Sequence, residues 1–168
     1  MRGISKGRAL FLGQLGGSII NRLIHFAILI YGLTLSLVVP AQTVTKPVVD
    51  VYKNPSCSCC GHWAEHMEAA GFKVKVHMLN DVSPIRVKAG IPAELASCHT
   101  ALVGGYAIEG HVPAADVRKL LALKPKARGL AVPGMPAAAP GMDTTGGGPY
   151  EVLLVSPTGS TTVFHAYP

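Results

Sequence analysis

Acidic residues are absent from the first 41 positions of this 168-residue chain. Nowhere does a stripe of lysine and arginine with interleaved aromatics appear, which removes nucleic-acid binding from consideration. No segment repeats, so architectures stacked from internal repeats are excluded as well. Cysteines are few, four in all, and every one lies between Cys57 and Cys98.

The acid-free start carries Arg2, Lys6, Arg8 and Arg22, followed by an apolar run from Leu23 to Val39 that only His25 interrupts with a strongly polar side chain. Pro40-Ala41 follows, with Val39 and Ala41 at the −3 and −1 positions of a signal-peptidase site. A basic start, an apolar core and a small-residue exit mark residues 1–41 as a secretory signal peptide. The competing reading is an uncleaved anchor, since the run as a helix spans roughly 25 Å, at the low end of what crosses a bilayer. Either reading puts the remainder outside the cytoplasm, in the periplasm, with any membrane contact made through the leader alone. Beyond residue 41, eleven of the fifteen basic residues face all nine acidic ones, a net charge near +2. Four cysteines in an oxidising compartment must be disulfides, be kept reduced, or be held by a metal.

Residues 42–47 read as a short polar linker, and a domain over 48–168 follows it. Val48-Val-Asp-Val-Tyr52 is a compact β-rich run that Asn54-Pro55-Ser56 ends. After Cys57-Ser-Cys-Cys60, the residues Cys60, Trp63, Ala64, Met67 and Gly71 fall at helical spacing, with Gly71 as the stop. Trp63 and Phe72 read as core. Phe72–Met78 alternates as a half-buried strand does, and Ser83-Pro84 opens a short helix that Gly90 closes. Thr100–Val103 and Tyr106–Glu109 form a hairpin around Gly104-Gly105, because two glycines supply the positive φ of a tight turn. Pro113 opens a third helix over Ala114–Leu123.

The order β-α-β-α-β-β-α is that of a thioredoxin-like α/β fold, a mixed sheet flanked by helices. In that fold the loop between the first strand and first helix, where Cys57–Cys60 lie, faces the loop before the third strand, where Cys98 lies. The sequence therefore predicts that four scattered cysteines are neighbours. Residues 124–148 are a Pro/Gly/Met-rich extension without regular structure, containing Pro133-Gly-Met-Pro136 and Pro140-Gly-Met142. Tyr150–Val155 and Thr161–Phe164 then read as a C-terminal β-hairpin.

A helix N-terminus favours thiolate over thiol, and thiolates are both nucleophiles and soft-metal ligands. A dithiol oxidoreductase would use Cys57 and Cys60, one to attack and one to resolve. Cys59 between them and Cys98 across the site are in excess of that need and suit Cu(I), other soft ions or a small cluster. A third reading is structural: disulfides such as Cys57–Cys60 with Cys59–Cys98, or a zinc module. A bridge between the adjacent Cys59 and Cys60 is badly strained.

Secondary ligand candidates are His99 and His111, whose neutral imidazoles suit copper and zinc, against the alternative of hydrogen-bonded structural histidines. His62 and His66 share a helix face at i, i+4, which a solvated face explains equally well. Met135 and Met142 sit in the two Pro-Gly-Met turns, where a thioether either binds Cu(I) or caps the core.

Val51-Tyr-Lys-Asn-Pro-Ser-Cys-Ser-Cys-Cys-Gly61, Leu95-Ala-Ser-Cys-His-Thr100, Glu109-Gly-His-Val-Pro113 and Ala127–Met142 together resemble the CopG-type family of bacterial periplasmic proteins. That family is thioredoxin-like and associated with copper-resistance gene clusters. The resemblance runs from about Val48 to Phe164. It implies copper binding by Cys57, Cys59, Cys60 and Cys98, with His66, His99, His111, Met135 and Met142 also on family positions. His62 lies outside the family pattern. The implied function is an exported copper-binding protein of metal tolerance, holding Cu(I) or a small copper cluster, with other periplasmic copper-handling proteins as partners. Whether it is also an enzyme, as a copper or thiol–disulfide oxidoreductase, stays open at this point.

Overall fold

Strand β1 (Val48–Lys53) buries Val49, Val51 and Lys53 on one face and turns Asp50 and Tyr52 to the other. Two β-branched residues in alternation make this the natural centre of a sheet. It is flanked by β2 (Lys73–Met78), which runs parallel to it, and β3 (His99–Val103), which runs antiparallel. A hairpin through Gly104-Gly105, both at positive φ, joins β3 to β4 (Tyr106–Glu109). Helix α1 (Ser58–Ala69) connects β1 to β2, α2 (Ser83–Ala89) and a 3₁₀ turn (Ala93–Leu95) connect β2 to β3, and α3 (Ala114–Leu123) follows β4.

The element order expected from the sequence is the order found, and the fold is the thioredoxin-like mixed α/β sheet with helices around it. Cys60, Trp63, Ala64 and Met67 are the buried stripe of α1, as their spacing required. Trp63 and Met67 join Val49, Val51, Ile108, Val117 and Leu120 in the larger core, between one sheet face, α1 and α3. Burying a side chain the size of Met67 or Leu120 contributes roughly 1.5–3 kcal/mol. On the opposite face, Ile91 and Leu95 cover Ala107, Ala131 and Val155 in a smaller cluster.

One expectation needs correction. Residues 124–148 are not wholly irregular: Gly129–Ala131 forms strand β5, parallel to β4. Three residues are too few to show a period of two, so nothing in the pattern announced it. Through β5 the C-terminal hairpin, β6 (Tyr150–Val155) and β7 (Thr161–Tyr167), continues the sheet to seven strands in the order β2-β1-β3-β4-β5-β6-β7.

The chain comprises two units, Met1–Val44 and Thr45–Pro168. The structure, a computed structural model, describes His25 and residues 47–142 and 146–168. The expected signal peptide or anchor over 1–41, and the linker over 42–47, fall outside the described residues except at His25 and Pro47. No helix among the described residues is long and apolar enough to cross a membrane.

Candidate metal centre

Cys57 is the N-cap of α1, so the turn Cys57-Ser-Cys-Cys60 sits where the helix leaves its first N–H groups unpaired. Cys57 and Cys60 are joined by a disulfide, their Cα atoms 5.4 Å apart. Cys59 and Cys98 are free. The Cys59 sulfur lies 3.5 Å from that of Cys57. Of the four thiols expected, two are therefore consumed in a bond in this state, and a four-thiolate set forms only on its reduction. Cys59 and Cys98 are not bonded to each other, unlike the two-disulfide alternative.

The central geometric expectation holds. Sulfurs of Cys57, Cys59, Cys60 and Cys98 all lie within 4.8 Å of one another. A second group, Cys60, Cys98, His99 and His111, meets the same distance and shares two sulfurs with the first. Thus Cys98 belongs to both a sulfur side, supplied by the first turn of α1, and an imidazole side, supplied by β3 and the segment after β4.

On the imidazole side, His111 Nε2 is 3.0 Å from the Cys98 sulfur, while its Nδ1–H donates to the Pro140 carbonyl at 2.7 Å. That second bond leaves the Nε2 lone pair directed at the sulfur, the arrangement by which an outer partner orients a metal-binding imidazole. Burial holds the His111 pKa below the ordinary histidine value. His99 is fully buried, with Nδ1 3.7 Å from the Cys98 sulfur. Burial, then the neighbouring His111 and Lys53, bring its pKa down to about 3, so it is neutral at any physiological pH. Its Nε2 is buried without a hydrogen-bond partner. An orphaned buried nitrogen costs stability unless something binds it. The Cys98 thiol is pushed up to about 11, by burial first and then by Cys59 beside it.

Trp63 walls this side: its ring centroid is 4.4 Å from that of His99, and its indole N–H donates to the Val112 carbonyl at 2.9 Å. The residue read as simple core thus also lines the site. Over the top comes the Pro140-Gly-Met142 turn. A Cβ at Gly141 (φ 82°) would stand 2.6 Å from the Trp63 backbone nitrogen and 2.9 Å from the Cys59 carbonyl oxygen. Only glycine lets the turn lie this close to the first turn of α1, and that closeness delivers the Pro140 carbonyl to His111.

Other candidates are placed elsewhere. His66 accepts the Ala114 backbone N–H at 3.1 Å, capping the start of α3, and burial lowers its pKa. Neither ligand group includes His66 or His62. Met135 is 57% exposed, so it caps no core. Met142 is half-buried, and its N–H closes the turn onto the Ala139 carbonyl.

The sequence reading passed over the supports of Cys98. Glu109, fully buried at the end of β4, accepts from the Ser97 N–H at 2.8 Å, the Thr100 hydroxyl at 2.7 Å and Arg86 Nε at 2.7 Å. The two-residue turn at Gly104-Gly105 fixes the register that sets Thr100 opposite Glu109, so the signal was present. Ser97 also donates through its hydroxyl to the Gly134 carbonyl.

A donor set of thiols and imidazoles suits a soft or borderline metal ion. A family described as "Protein of unknown function, DUF411" matches residues 95–142. No curated protein sequence matches the chain. Two solved structures, "Copper resistance protein copG- Form 2" and "Copper resistance protein copG- Form 1", are each 39% identical to it, with TM-scores of 0.70. They cover 74% of this chain, which in turn spans 100% and 99% of theirs.

Proposed function

Because the chain belongs to the CopG family of copper resistance proteins, we propose that it is an exported copper-binding protein of metal tolerance. The observation that carries this reading is the convergence of four cysteine sulfurs within 4.8 Å, with His99 and His111 beside the shared Cys98. Cys57, Cys59, Cys60 and Cys98 would hold copper as thiolates once the Cys57–Cys60 bond is reduced. Thiolates favour Cu(I), and sulfurs this close can bridge more than one ion. His99 and His111 are the next ligands in line, each with a ring nitrogen toward the Cys98 sulfur. Met135, Met142 and His66 carry less support, His66 least, since its Nε2 already caps α3.

The test is to purify the reduced protein, load it with Cu(I) against a chromophoric chelator, and count copper and free thiols. The expected result is at least one copper per chain, with a large loss on Cys59→Ser. A metal-free protein with four reactive thiols would remove the reading. Residues 1–41 act as the signal peptide in this account. N-terminal sequencing of the mature protein should begin at Gln42, whereas an intact leader would make it an anchor.

One observation favours a second reading: Cys57 and Cys60 are bonded to each other at a helix N-terminus. That is the arrangement of a thiol–disulfide oxidoreductase. Under it, the protein would reduce insulin with a reductant present, and Cys59→Ser would leave the rate unchanged.

A further inference from the structure

We infer that Glu109, with Arg86, is a positioning residue for Cys98: a buried ion pair whose task is to fix the loop that presents the shared sulfur. Glu109 is fully buried and Arg86 is 8% exposed. Two charges removed from water are a poor source of stability, because desolvation offsets most of their attraction. Retaining such a pair is explained when it specifies one conformation, and here its bonds end on the residues around Cys98.

Arg86 Nε reaches Glu109 Oε1 at 2.7 Å, while Arg86 Nη2 donates to the Ser97 carbonyl at 2.8 Å. The Ser97 N–H returns to Glu109 Oε1 at 2.8 Å. Both peptide groups of Ser97 are thereby held, including the plane that leads directly into Cys98. On the other side, the Thr100 hydroxyl donates to Glu109 Oε2 at 2.7 Å. The His99 carbonyl accepts from the Gly110 N–H at 3.0 Å. Cys98 and His99 are thus bracketed, and neither hydrogen-bonds to the pair itself. Burial raises the Glu109 pKa, but its hydrogen bonds from Thr100, Ser97 and Arg86 and the Arg86 charge act against that shift. No metal role falls to Glu109, since neither donor group includes it. The guanidinium fork matters as much as the charge, because one side chain serves two acceptors at once.

This inference rests on the copper reading for its functional meaning, so its test has a metal-free arm. In protein purified from cells expressing the whole sequence, alkylation of Cys98 by iodoacetamide is followed by peptide mass spectrometry without copper. Cu(I) affinity is measured separately by chelator competition on the reduced protein. Glu109→Ala should raise Cys98 labelling about tenfold by letting the loop open. It should also weaken Cu(I) binding by roughly 10–100-fold, the usual cost of losing an outer-shell partner. Glu109→Gln keeps the shape but leaves the buried Arg86 charge unpaired, and should fall between wild type and Glu109→Ala on both counts. Arg86→Lys keeps the charge but loses the fork, and should raise labelling several-fold even if Glu109→Ala fails to fold.

A folded Glu109→Ala protein, merely less heat-stable, with wild-type labelling and affinity overturns the proposal. So does Arg86→Lys with unchanged labelling. Should wild type bind no Cu(I), the copper reading falls, and the labelling arm still decides whether the pair holds Cys98.

Discussion

The sulfur side and the imidazole side of the site are built in opposite ways. Cys57, Cys59 and Cys60 arrive together on one helical turn, so a single local element fixes their spacing. Cys98, His99 and His111 come from a loop, a strand and a second loop. They are held by Pro140, by Trp63 and by the Arg86–Glu109 pair. The matched family segment, residues 95–142, contains Cys98, His99 and His111 and none of the cysteine turn. A contiguous ligand turn tolerates changes elsewhere in the fold, whereas an assembled wall depends on every segment that reaches it.

Removing Cys98, the shared residue that lies outside the disulfide, should have the largest effect. Cys98→Ala is expected to weaken Cu(I) binding by more than about 100-fold, beyond the range for outer-shell losses. Chelator competition checks this, and quenching of the single tryptophan, Trp63, offers an independent readout because its ring lies against His99. Wild-type affinity in that variant would divide the two sides again.

Next comes the wall's most distant support. Gly141→Ala forces a side chain against Trp63 and Cys59 at a positive φ, so the turn must lift and release His111. Copper affinity should fall by roughly 10–100-fold although no ligand has changed. An unaltered affinity would mean that the Pro140 carbonyl is not what orients His111.

Acid should act on the metal-free protein through the imidazoles. His66, His99 and His111 all have pKa values lowered by burial, His99 to about 3. Below an unfolded pKa of about 6.5, the unfolded chain takes up protons that the folded chain refuses. Stability is therefore lost as pH falls, by up to about 1.4 kcal/mol per pH unit for the fully buried His99, with His66 and His111 acting in the same direction. Glu109, shifted upward by burial, opposes this with a single proton. Urea unfolding at pH 7.5, 6 and 4.5 should show the decline, and a flat profile would contradict the burial of these rings.

The smallest effect separates cap from ligand. His66→Ala removes the acceptor at the start of α3 and should cost roughly 0.5–2 kcal/mol in thermal or urea unfolding. Copper affinity of the folded variant should stay within about threefold, in contrast to changes on the imidazole wall.

The difference between the two sides also explains what could be read in advance. Cys57-Ser-Cys-Cys60 ahead of a helical stripe is a local pattern, and the element order then carried Cys98 to it. Supports of the second side left no comparable trace. A backbone carbonyl at Pro140 has no sequence signature, and Gly141 reads as one more glycine in a Pro/Gly-rich stretch. β5 is too short to show alternation, yet it ties the hairpin of β6 and β7 to the sheet. The pairing of Glu109 with Thr100 was recoverable from the fixed hairpin register, but its burial was not, because Arg86 and Ser97 reach it from other segments. His66 looked like a ligand because helical spacing says nothing about which backbone N–H lies opposite.

Copper X-ray absorption on the reduced, Cu(I)-loaded protein and its Cys98→Ser variant addresses the shared sulfur most directly. Sulfur-dominated coordination in the wild type, with a measurable drop in sulfur ligation in the variant, is the expected outcome. Identical spectra, or a first shell of nitrogen and oxygen alone, would contradict the account.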